Sequence, residues 1–231
     1  MKAIAKIPFP KNEPVLDYKQ GSPEKTEIKK KIDELLNREI EIPLIIGGKE
    51  IKTGDLGKCV LPHNHKKCIG NFHRAGEKEV NMAIEAAMAA KSEWEKMPWE
   101  ARSAIFLKAA ELLAGPYRAE INAAGMLNLS KTVFQAEIDG ACELIDFIRF
   151  NEYYMQQIYR DQPISSKGVW NQVEYRPLEG FVFAVTPFNF ISIGGNLPSA
   201  PAMVGNVVLW KPASSAVYPA YIVMKILKEA G

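Results

Sequence analysis

Apolar residues recur at helical spacing through the first two thirds of the chain. Over 23–39, Ile28, Ile32, Leu35 and Leu36 fall at i, i+4, i+7 and i+8, which predicts a helix burying one face. Residues 42–52 read as two short strands about a Gly47-Gly48 turn. Val80, Ala83, Ile84, Ala87, Met88 and Trp94 form a stripe that predicts a helix over 79–95. Pro98 ends that helix and suits the first turn of the next, which Ile105, Phe106, Ala109, Leu112 and Leu113 mark and Gly115-Pro116 stops. A longer helical pattern spans about 131–157, with Phe134, Ile138, Ala141, Ile145 and Ile148 on one side. Glu137, Asp139 and Glu143 lie off that stripe.

At Gly168 the period changes. Residues 169–176 are rich in β-branched and aromatic side chains between turn signals and read as strand. The continuous apolar run 180–185 predicts a parallel strand buried on both faces. A helical crossover over 193–205, a second buried run over 207–210 and an amphipathic helix over 214–230 follow. Strand, helix, strand, helix is the start of a doubly wound α/β sheet, and two parallel strands do not make a covered sheet alone. The expectation is therefore a truncated piece of a longer polypeptide. Residues 1–22, with Pro8, Pro10, Pro14 and Gly21, are expected to form an extended arm packed on a larger body.

Composition narrows the function classes. In 231 residues, 29 Lys and Arg stand against 27 Asp and Glu, a net charge of +2 that argues against nucleic acid as partner. No run of 18 apolar residues suggests a membrane span. Cys59, Cys68 and Cys142 are too sparse and odd in number for a disulfide framework. The first ten residues lack a signal-peptide or presequence pattern. These features together are read as cytoplasmic.

Candidate chemistry gathers where ligands gather in open α/β sheets, beyond the carboxyl ends of the strands. Asn189, on a loop stiffened by Pro187, reads either as an oxyanion-hole amide or as a turn former. Lys211 ends an otherwise apolar strand, either as a donor to ribose hydroxyls or a phosphate, or as a solvated lysine. Cys59, His63, His65 and Cys68 are four N/S ligands within ten residues, but their spacing is not a paired-ligand knuckle and two intervening lysines oppose a dication. That segment reads as a polar surface loop, and no metal is expected. Cys142 reads as buried filler. Walker, G-x-G-x-x-G and G-x-S-x-G motifs are missing, and the three histidines share one region, against a Ser/His/Asp triad.

Residues 182–190 (VFAVTPFNF), 196–206 (NLPSAPAMVGN) and 207–212 (VVLWKP) resemble the aldehyde dehydrogenase superfamily. Residues 12–15, 21–24, 131–139 (KTVFQAEID) and 193–197 (IGGNL) narrow the resemblance to the Δ1-pyrroline-5-carboxylate dehydrogenase family, over essentially the whole chain. The resemblance implies NAD-dependent oxidation of L-glutamate γ-semialdehyde to glutamate in proline catabolism, this chain being the N-terminal half. It also implies a homodimer or larger assembly. In it, Asn189 would donate to the developing oxyanion and Phe190 would line the aldehyde tunnel. Lys211 would hold the adenosine ribose, Thr186 and Pro187 would shape the cofactor floor, and Glu137 would face the substrate ammonium. Ser214 stands where NAD-selective members commonly carry an acid, so NADP is not excluded. The nucleophilic cysteine of the family has no counterpart among the three here, so this chain alone is expected to be inactive. The implied architecture is an incomplete Rossmann-like cofactor domain preceded by a helical region and a β-hairpin oligomerisation arm. Its divisions are arm 1–22, helical part 23–162, hairpin 163–178 and sheet start 179–231. An aldehyde dehydrogenase of another substrate class and a non-catalytic α/β binding module are the alternatives.

Overall fold

The computed structural model describes residues 6–231. The start of the expected arm and of the expected leaderless terminus, residues 1–5, lies outside the described residues. The fold is mixed α/β.

Residues 6–19 run without helix or strand. Helix α1 (Pro23–Leu36) begins where Ser22 Oγ accepts the Lys25 N–H at 3.3 Å and proline takes the first turn, and it buries Ile28 and Leu35. Strand β1 (Ile40–Ile42) is followed by the short hairpin of β2 (Leu44–Ile46) and β3 (Lys49–Ile51). Gly47 and Gly48 take φ of 55° and 74° there, the left-handed region that a two-residue hairpin turn requires.

The stretch read as a polar surface loop is a β-hairpin instead. Strands β4 (Leu56–Leu61) and β5 (Asn64–His73) pair antiparallel, and β5 pairs parallel with β1, giving the order β1-β5-β4. Alternate residues Gly57, Cys59 and Leu61 face inward while the histidines and lysines crowd the exposed tip, which hid the period in the sequence.

Helices α2 (Glu77–Lys96) and α3 (Trp99–Ala114) form at the expected places. Helix α4 (Arg118–Asn128) has no counterpart in the sequence reading. It buries Ala119, Ile121, Ala123, Ala124 and Leu127 together with Asn122 and Asn128, so nearly every face is covered and no amphipathic stripe appears.

The long helical pattern is real but interrupted. Helix α5 (Val133–Ala136) runs through one π-helical segment, Glu137–Glu143, into α6 (Leu144–Arg160). A π-turn takes in an extra residue and rotates the faces on either side relative to a 3.6-residue period. Phe134, expected inside, is exposed, while Glu137 and Asp139, expected off the buried stripe, are buried.

Strand β6 (Val182–Val185), helix α7 (Ile191–Met203) and strand β7 (Val208–Lys211) form a parallel strand–helix–strand unit, followed by a 3₁₀ turn (Ser214–Ala216) and α8 (Val217–Ala230). In β6, expected to be buried on both faces, Ala184 is buried and Phe183 is 61% exposed in this two-stranded stretch, against which α7 packs. The α2 stripe is likewise uncovered at Val80 and Met88, and with β6 and β7 it borders an open apolar groove of about 610 Å³. No strand forms over 169–176. Its backbone is tied by side chains instead, as where Gln162 Oε1 accepts the Val173 N–H at 2.9 Å, because no neighbouring strand offers a ladder.

The main core lies among α3, α4, α6 and α8, with Phe106, Leu113, Ile121, Leu144, Ile145, Tyr218 and Ile222 buried. One acid is buried within it. Glu152 of α6 accepts the Ser103 hydroxyl, but its Oε1 has no partner. Burial pushes its carboxyl up to about 7, against the Ser103 hydrogen bond and the Arg102 charge, which pull it down. The folded state therefore holds this proton above pH 4.5, where the unfolded chain has released it. Stability from this group is complete below that pH, falls as pH rises through about 7, and is flat beyond. Glu152→Gln is expected to gain up to about 3 kcal/mol relative to the parent chain between pH 4.5 and 8. Urea unfolding at several pH values reads this directly, and a pH-independent difference would refute it.

Candidate active site

The rim of the site is set by two strand ends. In the parallel pair β6–β7, Val185 lies opposite Lys211, and the Thr186 N–H donates to the Lys211 carbonyl at 3.2 Å. The loops leaving both strands therefore start level, at the same carboxyl edge. Thr186 is buried, and its Oγ1 accepts the Trp210 indole N–H at 3.1 Å, which ties the first loop to the second strand. Pro187 then stiffens the turn that presents Phe188 and Asn189, both exposed, before Phe190 leads into α7.

Thr186, Pro187 and Phe190 line a pocket against Gly194, Gly195 and Pro219, with room for about one water (10 Å³). Ligand-sized space lies in the neighbouring groove, and Lys211 is on its lining together with Trp210 and Phe183. The Lys211 side chain is exposed, and no carboxylate pairs with it among the described residues. Ser214 is exposed three residues further on, at the turn that opens α8. Six of the seven sequence-derived candidates, Thr186, Pro187, Asn189, Phe190, Lys211 and Ser214, thus share one sheet edge.

Glu137 does not share that edge and lies in the interior. Its carboxylate is 0% exposed and saturated by protein donors. Oε1 accepts the Leu16 N–H at 2.8 Å and the Arg118 guanidinium; Oε2 accepts the Tyr18 hydroxyl at 2.8 Å and Asn122 Nδ2 at 2.7 Å. Burial would raise this carboxyl, but Arg118, the Leu16 N–H and Tyr18 outweigh it and hold it below the usual carboxylate range. Tyr18 reaches the network from a left-handed backbone, φ 52°, a conformation a bulky residue adopts only when its surroundings enforce it. Glu137 therefore fastens the N-terminal arm to α4.

The sequence reading missed Asp139 and Lys131. Helix α7 starts at Phe190 with no side-chain cap of its own. Asp139, on the π-turn, fills that role from across the core: Oδ2 accepts the Ile191 N–H at 2.9 Å, and Oδ1 accepts the Ser192 N–H at 3.1 Å and its hydroxyl at 2.8 Å. Lys131 pairs with Asp139 at 3.0 Å and lies over the Phe190 ring, 5.0 Å from its centroid. The signal available in the sequence was a helix start without a polar cap, which calls for an acceptor from elsewhere.

None of the three thiols is poised as a nucleophile at this rim. Burial pushes the Cys59 thiol up to about 12, and burial followed by the Glu137 charge pushes Cys142 to about 12. Cys68 donates within its own strand, to the Gly70 carbonyl at 3.2 Å. Among the described residues no three His, Cys, Asp or Glu side chains cluster to hold a metal ion, and no helix is long and apolar enough to cross a membrane.

Residues 52–231 match the model of the aldehyde dehydrogenase family. A Delta-1-pyrroline-5-carboxylate dehydrogenase, mitochondrial, from Dictyostelium discoideum is 51% identical over 99% of this chain, which covers 41% of that protein. The corresponding Homo sapiens protein is 50% identical over 95% of the chain, covering 39% of its own length. Among solved structures, the Delta-pyrroline-5-carboxylate dehydrogenase from Mycobacterium tuberculosis bound with NAD superposes with a TM-score of 0.98 at 50% identity, over 100% of this chain and 43% of that one. The chain thus spans about two fifths of the length of the relatives it matches.

The Glu137 network predicts a structural phenotype. Glu137→Ala leaves the Arg118 guanidinium buried without its inner counter-charge and should cost about 3–5 kcal/mol of stability. Thermal unfolding checks it, and a variant within about 0.5 kcal/mol of the parent chain, the range of an ordinary surface change, would contradict the network's role.

Proposed function

The chain belongs to the aldehyde dehydrogenase family, and on that premise we propose that the protein carrying it oxidises L-glutamate γ-semialdehyde, the open form of Δ1-pyrroline-5-carboxylate, to glutamate in proline catabolism, with NAD as hydride acceptor. One observation supports the dehydrogenase reading: the Asn189 loop and Lys211 leave the same edge of one parallel sheet, level with each other. The relatives at about 50% identity bear the names of that enzyme.

The donor set fits the cofactor. Lys211 offers an unpaired ammonium on the groove lining, a point charge with three donors suited to ribose hydroxyls. Thr186 and Pro187 form the floor beside it. Ser214 carries no charge to repel a 2′-phosphate, so NADP is not excluded beside NAD. Held there, NAD would supply the hydride acceptor for the oxidation. Asn189 contributes a neutral side-chain N–H where negative charge develops on the aldehyde oxygen, and a donor held by its loop needs no reorganisation when that charge appears. Phe190 lines the aldehyde path.

Segment 163–178 exposes Ile164, Trp170 and Leu178, and we assign it to contacts between copies in a homodimer or larger assembly. The three free cysteines suit a reducing compartment, the cytosol or, as in two of the relatives' names, the mitochondrion.

Steady-state oxidation of the semialdehyde, followed by NADH formation against a panel of other aldehydes, tests the assignment. The semialdehyde should give the highest kcat/KM, and preference for another aldehyde class would overturn it. Asn189→Ala should lower kcat by about 10²–10³. Lys211→Ala should raise the KM for NAD with kcat kept, the pattern of lost uniform binding. The 231-residue chain assayed alone should form no NADH, since neither Cys59 nor Cys142 ionises near neutrality.

A further inference from the structure

Resting on that reading, we propose that Asp139 and Lys131 are positioning residues for the Asn189 donor: they fix the helix start from which the Asn189–Phe190 corner hangs. The loop has two anchors. At one end Thr186 is bonded to the Lys211 carbonyl and to the Trp210 indole. At the other, Ile191 and Ser192 donate their N–H groups to the Asp139 carboxylate at 2.9 and 3.1 Å. Between the anchors lie only residues 187–190, one of them proline. Asn189 is exposed, and no side chain among the described residues accepts its amide, so its place follows from the anchors rather than from contacts of its own.

The Asp139 anchor is tightly specified. Both carboxylate oxygens are used, and Ser192 adds its hydroxyl, which also reaches Glu143 at 3.0 Å. Lys131 balances the charge at 3.0 Å and meets Phe190 with its ammonium 5.0 Å from the ring centre, so one lysine touches both the anchor and the residue next to the donor. The backbone behind is crowded. A Cβ on Gly125 would stand 3.0 Å from Ile191 Cδ1 and one on Gly140 would stand 3.5 Å from it, so Ile191 packs closely over both glycines. At the far end, Arg102 Nε and Trp94 Nε1 bind the carbonyls of Met203 and Ala202 at 3.1 and 2.9 Å, so α7 cannot slide along its axis to relieve a lost cap. Losing the carboxylate's charge therefore releases the N-terminal end alone, the end that carries Asn189.

The test uses the protein that carries this sequence, saturated with NAD, and five variants: Asn189→Ala, Asp139→Asn, Lys131→Met, Lys131→Arg and the double variant Asn189→Ala/Asp139→Asn. Asp139→Asn keeps the shape but loses the lysine pair and the charge on the helix start. It should lower kcat by about 10- to 100-fold, as a donor displaced by an ångström does, with the KM for NAD within about twofold. In the Asn189→Ala background the same substitution should cost less than about twofold, since a positioning residue has nothing left to position. Lys131→Met should lower kcat by about 3- to 10-fold and Lys131→Arg should restore most of it; this pair carries the test if Asp139→Asn does not fold. Equal losses from Asp139→Asn with and without Asn189, or no loss from Lys131→Met, would overturn the proposal while the proposed function stands. An undiminished kcat in Asn189→Ala would instead overturn the oxyanion role of Asn189, and the positioning role with it.

Discussion

Two buried carboxylates on one expanded helical turn organise this structure. A charge removed from water costs several kcal/mol unless opposite charge and donors replace its hydration. Glu137 and Asp139 meet that demand by drawing in separate parts of the chain. Glu137 draws in the arm, through Leu16 and Tyr18, and α4, through Arg118 and Asn122. Asp139 draws in the start of α7 and Lys131. The π-turn makes the division possible, because its extra residue turns both acids inward although they lie two apart. The arm, the long helix and the parallel strand unit are thus located relative to one another by ionic contacts formed on a single segment.

Much of the fold is legible where local chemistry decides. Ser22-Pro23 starts α1, Pro98 separates α2 from α3, Gly115 stops α3, and Gly47-Gly48 closes the small hairpin, each by a backbone requirement confined to a few residues. What escapes is set by tertiary surroundings. Helix α4 is covered on nearly all sides and has no stripe to show. The β4–β5 hairpin turns at Pro62-His63 without a glycine, and its outer residues are those of a solvated loop. The pattern over 131–157 gives a helix correctly and puts Ala141, Ile145 and Ile148 inside, but it misplaces Phe134, Glu137 and Asp139, because a period cannot reveal a turn of different pitch. For the site, the strand ends and both loops are readable in order and spacing, and the carboxylate capping α7 is not, since it comes from about fifty residues earlier.

The β6–β7 sheet is asymmetric. Ala184 is buried, Phe183 and Val185 are exposed, and Phe183 lines the groove with the α2 stripe. Lys211 ends β7 on the lining of that groove, with its side chain exposed. Such a surface favours a ligand with a flat apolar body and a hydroxylated or charged end, the general character of a nicotinamide dinucleotide. The polar recognition is left to the strand ends, and the groove supplies burial.

A hydrogen-bond donor contributes to catalysis to the extent that it already points where charge will appear. An exposed amide on a free loop would spend much of its time elsewhere, and ordering it in the transition state would cost part of the gain. Here the ordering is complete in the fold. One end of the loop is fixed by a parallel ladder and an indole, the other by a carboxylate that is itself held by a lysine and sits on a turn crowded against α4. Because α7 is also tied at its far end by Arg102 and Trp94, the loop shares its rigidity with the core instead of generating it locally. In the role proposed for Asn189, the donor stays open to solvent and is still fixed, since every contact that fixes it lies behind the rim.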